Sequence, residues 1–414
     1  MAQCGVVSRR IVVLGGGTGG TLAANRLRRK LDESAVEIIV VDQDDKHVYQ
    51  PGLLFVPFGL EQASELVRPR HRQFRDGVEF RRGAIDRVDL EGNSVSLVGG
   101  EVLEYDVLVV ASGAVLLPGE TEGLIGPWWM KRVFTFYDLP GAAALARAMS
   151  AFEGGRLVVN VVDMPVKCPV APIEFALLAD WYLRRRGLRG KTEITLVTPL
   201  DGAFTRPVAS RELGDLLARR GIDVVTEFNT GEVRDLSLVS FDGREVGFDM
   251  AVVVPLHAGA PYVERSPGLG DALGFVPADE RTLVAKAAPN VFVIGDAADL
   301  PVSKAGSVAH FQGDVLVKNV ERYLAGEALD ATYDGHANCF IESGFGKALL
   351  IDFNYQTEPG TGRFPGRFGL PLLRESRLNH LGKLAFRHLY WHALLPGHDL
   401  PGVPSQMPLA GKTR

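Results

Sequence analysis

The chain has 414 residues, enough for two to three domains. With 46% hydrophobic and 23% charged residues it has the composition of an ordinary globular protein, and a formal net charge of −5 excludes the basic surplus that a nucleic-acid partner demands. No apolar run approaches the roughly 20 residues of a spanning helix. Met1 to Arg10 lacks the apolar stretch of a secretory leader, so the protein is expected to stay on the cytoplasmic side. The three cysteines, Cys4, Cys168 and Cys339, are too few for a disulfide scaffold.

The first unit runs from Arg10 to Asp42. Ile11 to Leu14 has the length and apolarity of a buried strand. GGGTGG follows, then a helical pattern from Thr21 to Leu31 and a second strand from Val36 to Val41. Gly15 allows the tight turn, Gly17 lets the backbone approach a pyrophosphate, and Gly20 lets helix and strand pack closely. The helix start, with Thr18, offers free N–H groups to phosphate. Asp42 stands at the distance where an acid accepts from a ribose hydroxyl. This is a dinucleotide site, but the motif alone does not separate FAD from NAD.

Two later segments decide for FAD. Tyr105 to Ala114 is an apolar strand ending in Ala111-Ser112-Gly113, which resembles the ATG motif of two-dinucleotide-binding flavoproteins. Val291 to Ala297 ends in Gly295-Asp296, a pair that in those proteins holds the ribityl and phosphate part of the flavin. The FAD domain is therefore expected to be discontinuous.

Between its halves lies a second βαβ unit: a strand from Arg156 to Val162, a helix from Ile173 to Arg185 and a strand from Glu193 to Val197. Its turn, DMPVKCPVAPIE, has no glycine, and Pro165, Pro169 and Pro172 donate no N–H. The second strand ends in Thr198-Pro199, without the ribose acid. NAD(P)H binding is not expected here. Cys168 replaces the glycines just before the helix, whose N-terminus would favour a thiolate, and Glu174 follows in the first helical turn.

GGGTGG, VYQPGLL (Val48 to Leu54), the ASG turn, CPVAPIEF (Cys168 to Phe175), VIGDA, KAG (Lys304 to Gly306) and CFIESGFGKA (Cys339 to Ala348) together resemble the sulfide:quinone oxidoreductase family and flavocytochrome c sulfide dehydrogenase, over nearly the whole chain. The resemblance implies that Cys168 and Cys339 form a redox-active pair beside the flavin. It implies that Glu174 is an acid/base, that Lys304 lies near the flavin pyrimidine edge and the quinone site, and that Gln50 and Pro51 contact the cofactor. Many members carry a third cysteine before the second unit; here Lys131 to Leu139 has none, and Cys4 is too near the terminus to replace it. With no attachment cysteine there or near Gln50-Pro51, FAD is expected to be non-covalent.

Pro371 to Pro396 has the pattern of a helix with Leu378, Leu381, Ala385 and Leu389 on one face and Asn379, His380, Lys383 and Arg387 on the other. Aromatic and basic residues follow, a composition suited to a membrane interface, and removal of this helix is expected to spare the FAD site. No metal site is expected, since His388 and His392 lack a third ligand.

The expected fold is α/β, with two Rossmann-like dinucleotide-binding domains and a C-terminal membrane-interface segment. Residues 1–120 and 251–335 would form the FAD domain, 121–250 the degenerate second domain, and 336–414 the quinone- and membrane-facing region. The expected activity is oxidation of sulfide or a related sulfur donor, with FAD passing electrons to a membrane quinone at the cytoplasmic face of the membrane; homo-oligomerisation is left open. The rivals are a type II NADH:quinone dehydrogenase, which would need the missing glycines, and a flavin-binding regulatory protein without turnover, which would not need paired cysteines.

Overall fold

The computed structural model describes residues 9–358, 360–398 and 403–412; Cys4 lies outside the described residues. Two parallel five-stranded sheets form its frame. In the first, the strands run in the order Val291–Val293, Val107–Val110, Arg9–Leu14, Val36–Asp42, Val78–Arg82. Ile11 to Leu14, Val107 to Val110 and Val291 to Val293 are fully buried, as strands covered on both faces must be. The strand at 291–293 closes against 107–110, so sequence from both sides of the second unit builds one sheet, as expected.

The second sheet has the order Val133–Phe134, Met250–Val254, Gly155–Val161, Thr192–Val197, Ile222–Val225, again parallel. Met250–Val254 pairs on both sides within it, so an FAD-domain segment starting at 251 would cut a strand of the second unit. We place that boundary after Val254.

The first helix, Thr18–Lys30, starts earlier than Thr21, because the glycine turn itself winds into the first helical residues. Gly20 is inside it, and a Cβ there would fall 1.8 Å from the Gly15 carbonyl oxygen, so the close packing expected of this glycine is a steric requirement.

The C-terminal region starts with an antiparallel hairpin, Ala337–Gly344 with Lys347–Phe353, which places Cys339 opposite Ile351. The helix expected from Pro371 is shorter. Pro371 lies in the strand Leu370–Leu372, the Ser376 side chain caps by accepting from the Asn379 N–H, and the helix spans Arg377–Leu389 before a π-helical turn at Tyr390–Leu394. Its apolar face points outward: Leu378, Leu381, Leu384 and Leu389 are exposed, Leu381 by 59%. Its polar face points inward, with Asn379 buried, His380 Nδ1 2.9 Å from Glu342 Oε2, and Lys383 and Arg387 in ion pairs with Glu174 and Glu61. Among the described residues no helix is long and apolar enough to cross a membrane.

Candidate active site

The glycine turn opens one end of a cavity of about 430 Å³ that extends past Ala111, Ser112, Gly113, Gly295 and Asp296 to Cys168 and Glu174. Gly15 has φ +98°, and a Cβ on it would stand 2.6 Å from the Ala111 carbonyl oxygen; the turn therefore admits only glycine. A Cβ on Gly17 would meet nothing, and no side chain caps the helix behind it, so its N–H groups face the cavity. Asp42 lies on the wall, where its carboxylate accepts from the Gly16 N–H at 2.7 Å and pairs with Arg70. Burial raises its pKa and the Arg70 guanidinium opposes that rise. Gln50 and Pro51, at the start of the 3₁₀ segment Gln50–Phe58, also line it. An elongated cavity with a glycine-only turn and a helix N-terminus at one end fits a dinucleotide such as FAD.

Several wall residues are held by partners the sequence did not disclose. The Thr18 hydroxyl is 2.8 Å from the Tyr390 hydroxyl, which is 2.7 Å from His47 Nε2. Burial depresses His47 to about 4, so its imidazole is neutral at ordinary pH. Ser112 Oγ is 3.0 Å from the Tyr262 hydroxyl, and the Gly295 N–H donates to Gln312 Oε1 at 2.7 Å. Tyr390, Leu394 and Leu395 line the cavity too, so the C-terminal segment is part of the wall and its removal would open the site.

Cys168 stands ahead of the helix Ala171–Arg185 with φ +50°, a conformation that costs a non-glycine residue about 1 kcal/mol or more. Three hydrogen bonds hold it there. Its N–H donates to the Lys304 carbonyl at 2.6 Å, and its carbonyl accepts from the Ala171 N–H at 2.9 Å and the Tyr137 hydroxyl at 3.1 Å. Lys167 also bridges to Lys304, so this turn is closed against the first unit. Both cysteines are free thiols. Burial pushes Cys168 well above the ordinary thiol range, adding to the effects of Cys339 and Glu174, and pushes Cys339 up to about 12 against the opposing charge of Lys383. The thiolate expected from the helix N-terminus is thus overridden by desolvation. Both thiols pack against one hydrophobic cluster, and Glu342, on the strand of Cys339, donates its N–H to Glu174, in the helix after Cys168.

Glu174 is buried, and its Oε1 accepts from Lys383 Nζ at 2.7 Å and from the Glu342 N–H at 2.7 Å. Burial raises its pKa, which the Lys383 ammonium opposes. Lys383 also donates to the Phe340 carbonyl at 3.0 Å. The sequence placed Lys383 on a polar helix face without indicating that the face turns inward. Lys304 is nearly buried; its ammonium donates to the carbonyls of Asp296 at 2.8 Å and Ala298 at 2.9 Å and lies 3.8 Å from the Phe275 ring centroid. Two of its three N–H donors are used, and the side chain still lines the cavity. Burial lowers its pKa, and Asp296 counters this.

Replacing Lys383 by Met would strand the Glu174 charge and is expected to cost about 3 kcal/mol. The double variant Glu174→Gln/Lys383→Met should recover part of that loss, as no buried charge is left unpaired. Denaturant unfolding of both single variants and the double variant measures this; additive costs would contradict the pairing.

A profile of the pyridine nucleotide-disulphide oxidoreductases matches residues 9–151. The mitochondrial sulfide:quinone oxidoreductase of Mus musculus is 26% identical over 94% of this chain and 86% of its own length, and that of Dictyostelium discoideum is 27% identical over the same shares. The crystal structure of the sulfide:quinone oxidoreductase from Aquifex aeolicus superposes with a TM-score of 0.80 over 94% of this chain and 92% of that one, at 21% identity. Along almost its full length this chain is similar in sequence to the sulfide:quinone oxidoreductases, and it shares the fold of one.

Proposed function

We propose that the protein is an FAD-dependent sulfide:quinone oxidoreductase in which Cys168 and Cys339 work as a redox pair. Cys168, Glu174 and Lys383 line the glycine-walled cavity, and the strand that carries Cys339 is tied to Glu174 through the Glu342 N–H; this arrangement carries the reading. Gly15, Gly17, Thr18 and Gly20 would shape the pyrophosphate end and Asp42 would take the ribose. Gln50, Pro51, Ala111, Ser112, Gly113, Gly295 and Asp296 would line the flavin part. Attachment would be non-covalent, because neither cysteine lies in the segments around Gln50 or Lys131–Leu139. When bound, FAD supplies a two-electron acceptor for sulfur and a donor for quinone.

In the proposed cycle the cysteines are oxidised to a disulfide. Hydrosulfide forms a new S–S bond to one cysteine while the bond between the cysteines breaks and the other leaves as a thiolate. A thiolate in so buried a place needs a cation, and the Lys383 ammonium is the nearby one that lowers the thiol pKa values. Glu174 would hold the sulfide proton, since a carboxyl raised by burial is a better base than an exposed one. Lys304 would stabilise negative charge near Asp296. The NADH-dependent alternative is disfavoured by a turn that has no glycine and is pinned to Lys304. A non-catalytic flavin protein has no need of two cysteines and a paired acid at one point.

Quinones are lipid-soluble, and the outward leucines of Arg377–Leu389 support peripheral attachment to a membrane, for which we retain the cytoplasmic face.

Cys168→Ser and Cys339→Ser should each keep FAD but lower sulfide-dependent quinone reduction by about three orders of magnitude, because a unit fails when one member is lost. Steady-state assays with a soluble quinone test this, and retention of most activity by either variant would refute the pair. For the membrane, Leu378→Asp with Leu381→Asp should abolish sedimentation with lipid vesicles and leave FAD content unchanged. Undiminished sedimentation would assign the leucine face to another contact.

A further inference from the structure

Beyond the Glu174–Lys383 pair lies a second cavity of about 320 Å³. Tyr49, Trp181, Phe345, Glu342, His380 and Leu384 are on its wall. Lys383 lines both cavities, so this one side chain is the partition between them. Polar contacts continue across it. Glu174 Oε1 receives Lys383 Nζ and the Glu342 N–H, each at 2.7 Å, and Glu342 Oε2 lies 2.9 Å from His380 Nδ1. Lys383 Nζ is bonded to Glu174 and to the Phe340 carbonyl and not to the Glu342 carboxylate, but Lys383 and Glu342 both line the second cavity, where water bridges groups of this kind. The Glu174 side chain is 1% exposed and that of Glu342 4%, while His380, the outermost of the row, is 27% exposed; Lys383, Glu342 and His380 all line the second cavity.

A structural ion pair needs two groups, and burying further ionisable groups beside it costs desolvation energy. Proton traffic gives the extra groups a use. Oxidising hydrogen sulfide to the level of bound sulfane sulfur removes two electrons and two protons. On the proposed reading the electrons leave towards quinone, which takes up two protons of its own as it becomes quinol. Hydrosulfide brings one of these protons to the site, where it is released beside partly buried thiols at the wall of the cofactor cavity and must leave by another route when the cavity is filled.

We propose that Glu174, Lys383, Glu342 and His380 form the proton exit of the sulfur site, with His380 as its outer member. The inference rests on the sulfide reading and adds to it Lys383, Glu342 and His380 as proton carriers. A proton from sulfide protonates the Glu174 carboxylate. The Lys383 ammonium gives a proton, through water in the second cavity, to the Glu342 carboxylate and is restored by Glu174. Glu342 passes its proton to His380 Nδ1, and the imidazole releases one from Nε2 into the second cavity. Other charged or titratable groups of this cavity are Arg387, on the same helix, and Glu61 and Tyr49 from the segment opposite; Arg387 is paired with Glu61, which leaves Glu342 as the acid that engages His380.

The test is anaerobic stopped-flow reduction of the full-length, FAD-loaded protein by sulfide, with and without imidazole in the buffer. His380→Asn should slow reduction about a hundredfold, the scale of a lost proton-transfer group. Added imidazole should restore most of the rate by entering the second cavity. Glu342→Gln should slow reduction too but gain nothing from imidazole, because the interruption is deeper. Reduction by dithionite, which needs no proton from sulfide, should be unchanged in both variants and reports intact folding and FAD loading. If sulfide does not reduce the wild-type protein, the sulfide reading itself fails. If wild type is reduced and His380→Asn matches it, or is slow without rescue by imidazole, the proton exit is overturned.

Discussion

The buried contact between Glu174 and Lys383 fastens three remote parts of the chain at one point. Glu174 belongs to the helix of the second unit, Lys383 to the C-terminal helix, and the Glu342 N–H, which shares the same carboxylate oxygen, to the strand that carries Cys339. Breaking one member of such a pair typically costs about 3–5 kcal/mol. The pair and its shared bond thus tie the strand that carries Cys339 to the helix that follows Cys168.

The same contact fixes the orientation of the C-terminal helix. An amphipathic helix ordinarily turns its leucines to the core. Here the inward face carries Lys383, His380 and Arg387, each with an acid waiting on the body of the protein, so the leucines are left outside. Next along the chain, the π-helical turn puts Tyr390 against Thr18 and His47, and the Asn25 side-chain amide donates to the Leu395 carbonyl at 2.6 Å. One segment therefore supplies the apolar outer face, a wall of the cofactor cavity and the cation of the sulfur site. On the proposed reading, membrane attachment and redox chemistry are joined across a single helix.

What was legible in the sequence was local or was carried by motifs. The glycine turn could be read because Gly15 and Gly20 meet steric demands within a few residues of themselves. The closed second turn could be read because three prolines and the missing glycines are local facts. The pairing of Cys168 and Cys339 is a proposal that came only from family resemblance, since nothing else in a chain of 414 residues relates two cysteines so far apart. Arg70 escaped notice, and Tyr390 and Lys383 were placed on the C-terminal helix without their contacts, because these come from partners far away in sequence: Asp42, Thr18 and Glu174. The two faces of the C-terminal helix were assigned correctly, but which face turned inward depended on Glu174, Glu342 and Glu61, and periodicity contains no information about those. Likewise, the thiolate expected from a helix N-terminus failed because burial, a tertiary property, outweighs a dipole that acts over one turn.

The central claim, that electrons enter from sulfide through this site and not from a nicotinamide, is tested most directly by following the flavin absorbance of the purified protein under anaerobic conditions with sulfide or NADH as sole donor. The account predicts rapid bleaching by sulfide and little or none by NADH over the same time. Rapid bleaching by NADH, with sulfide inert, would contradict it.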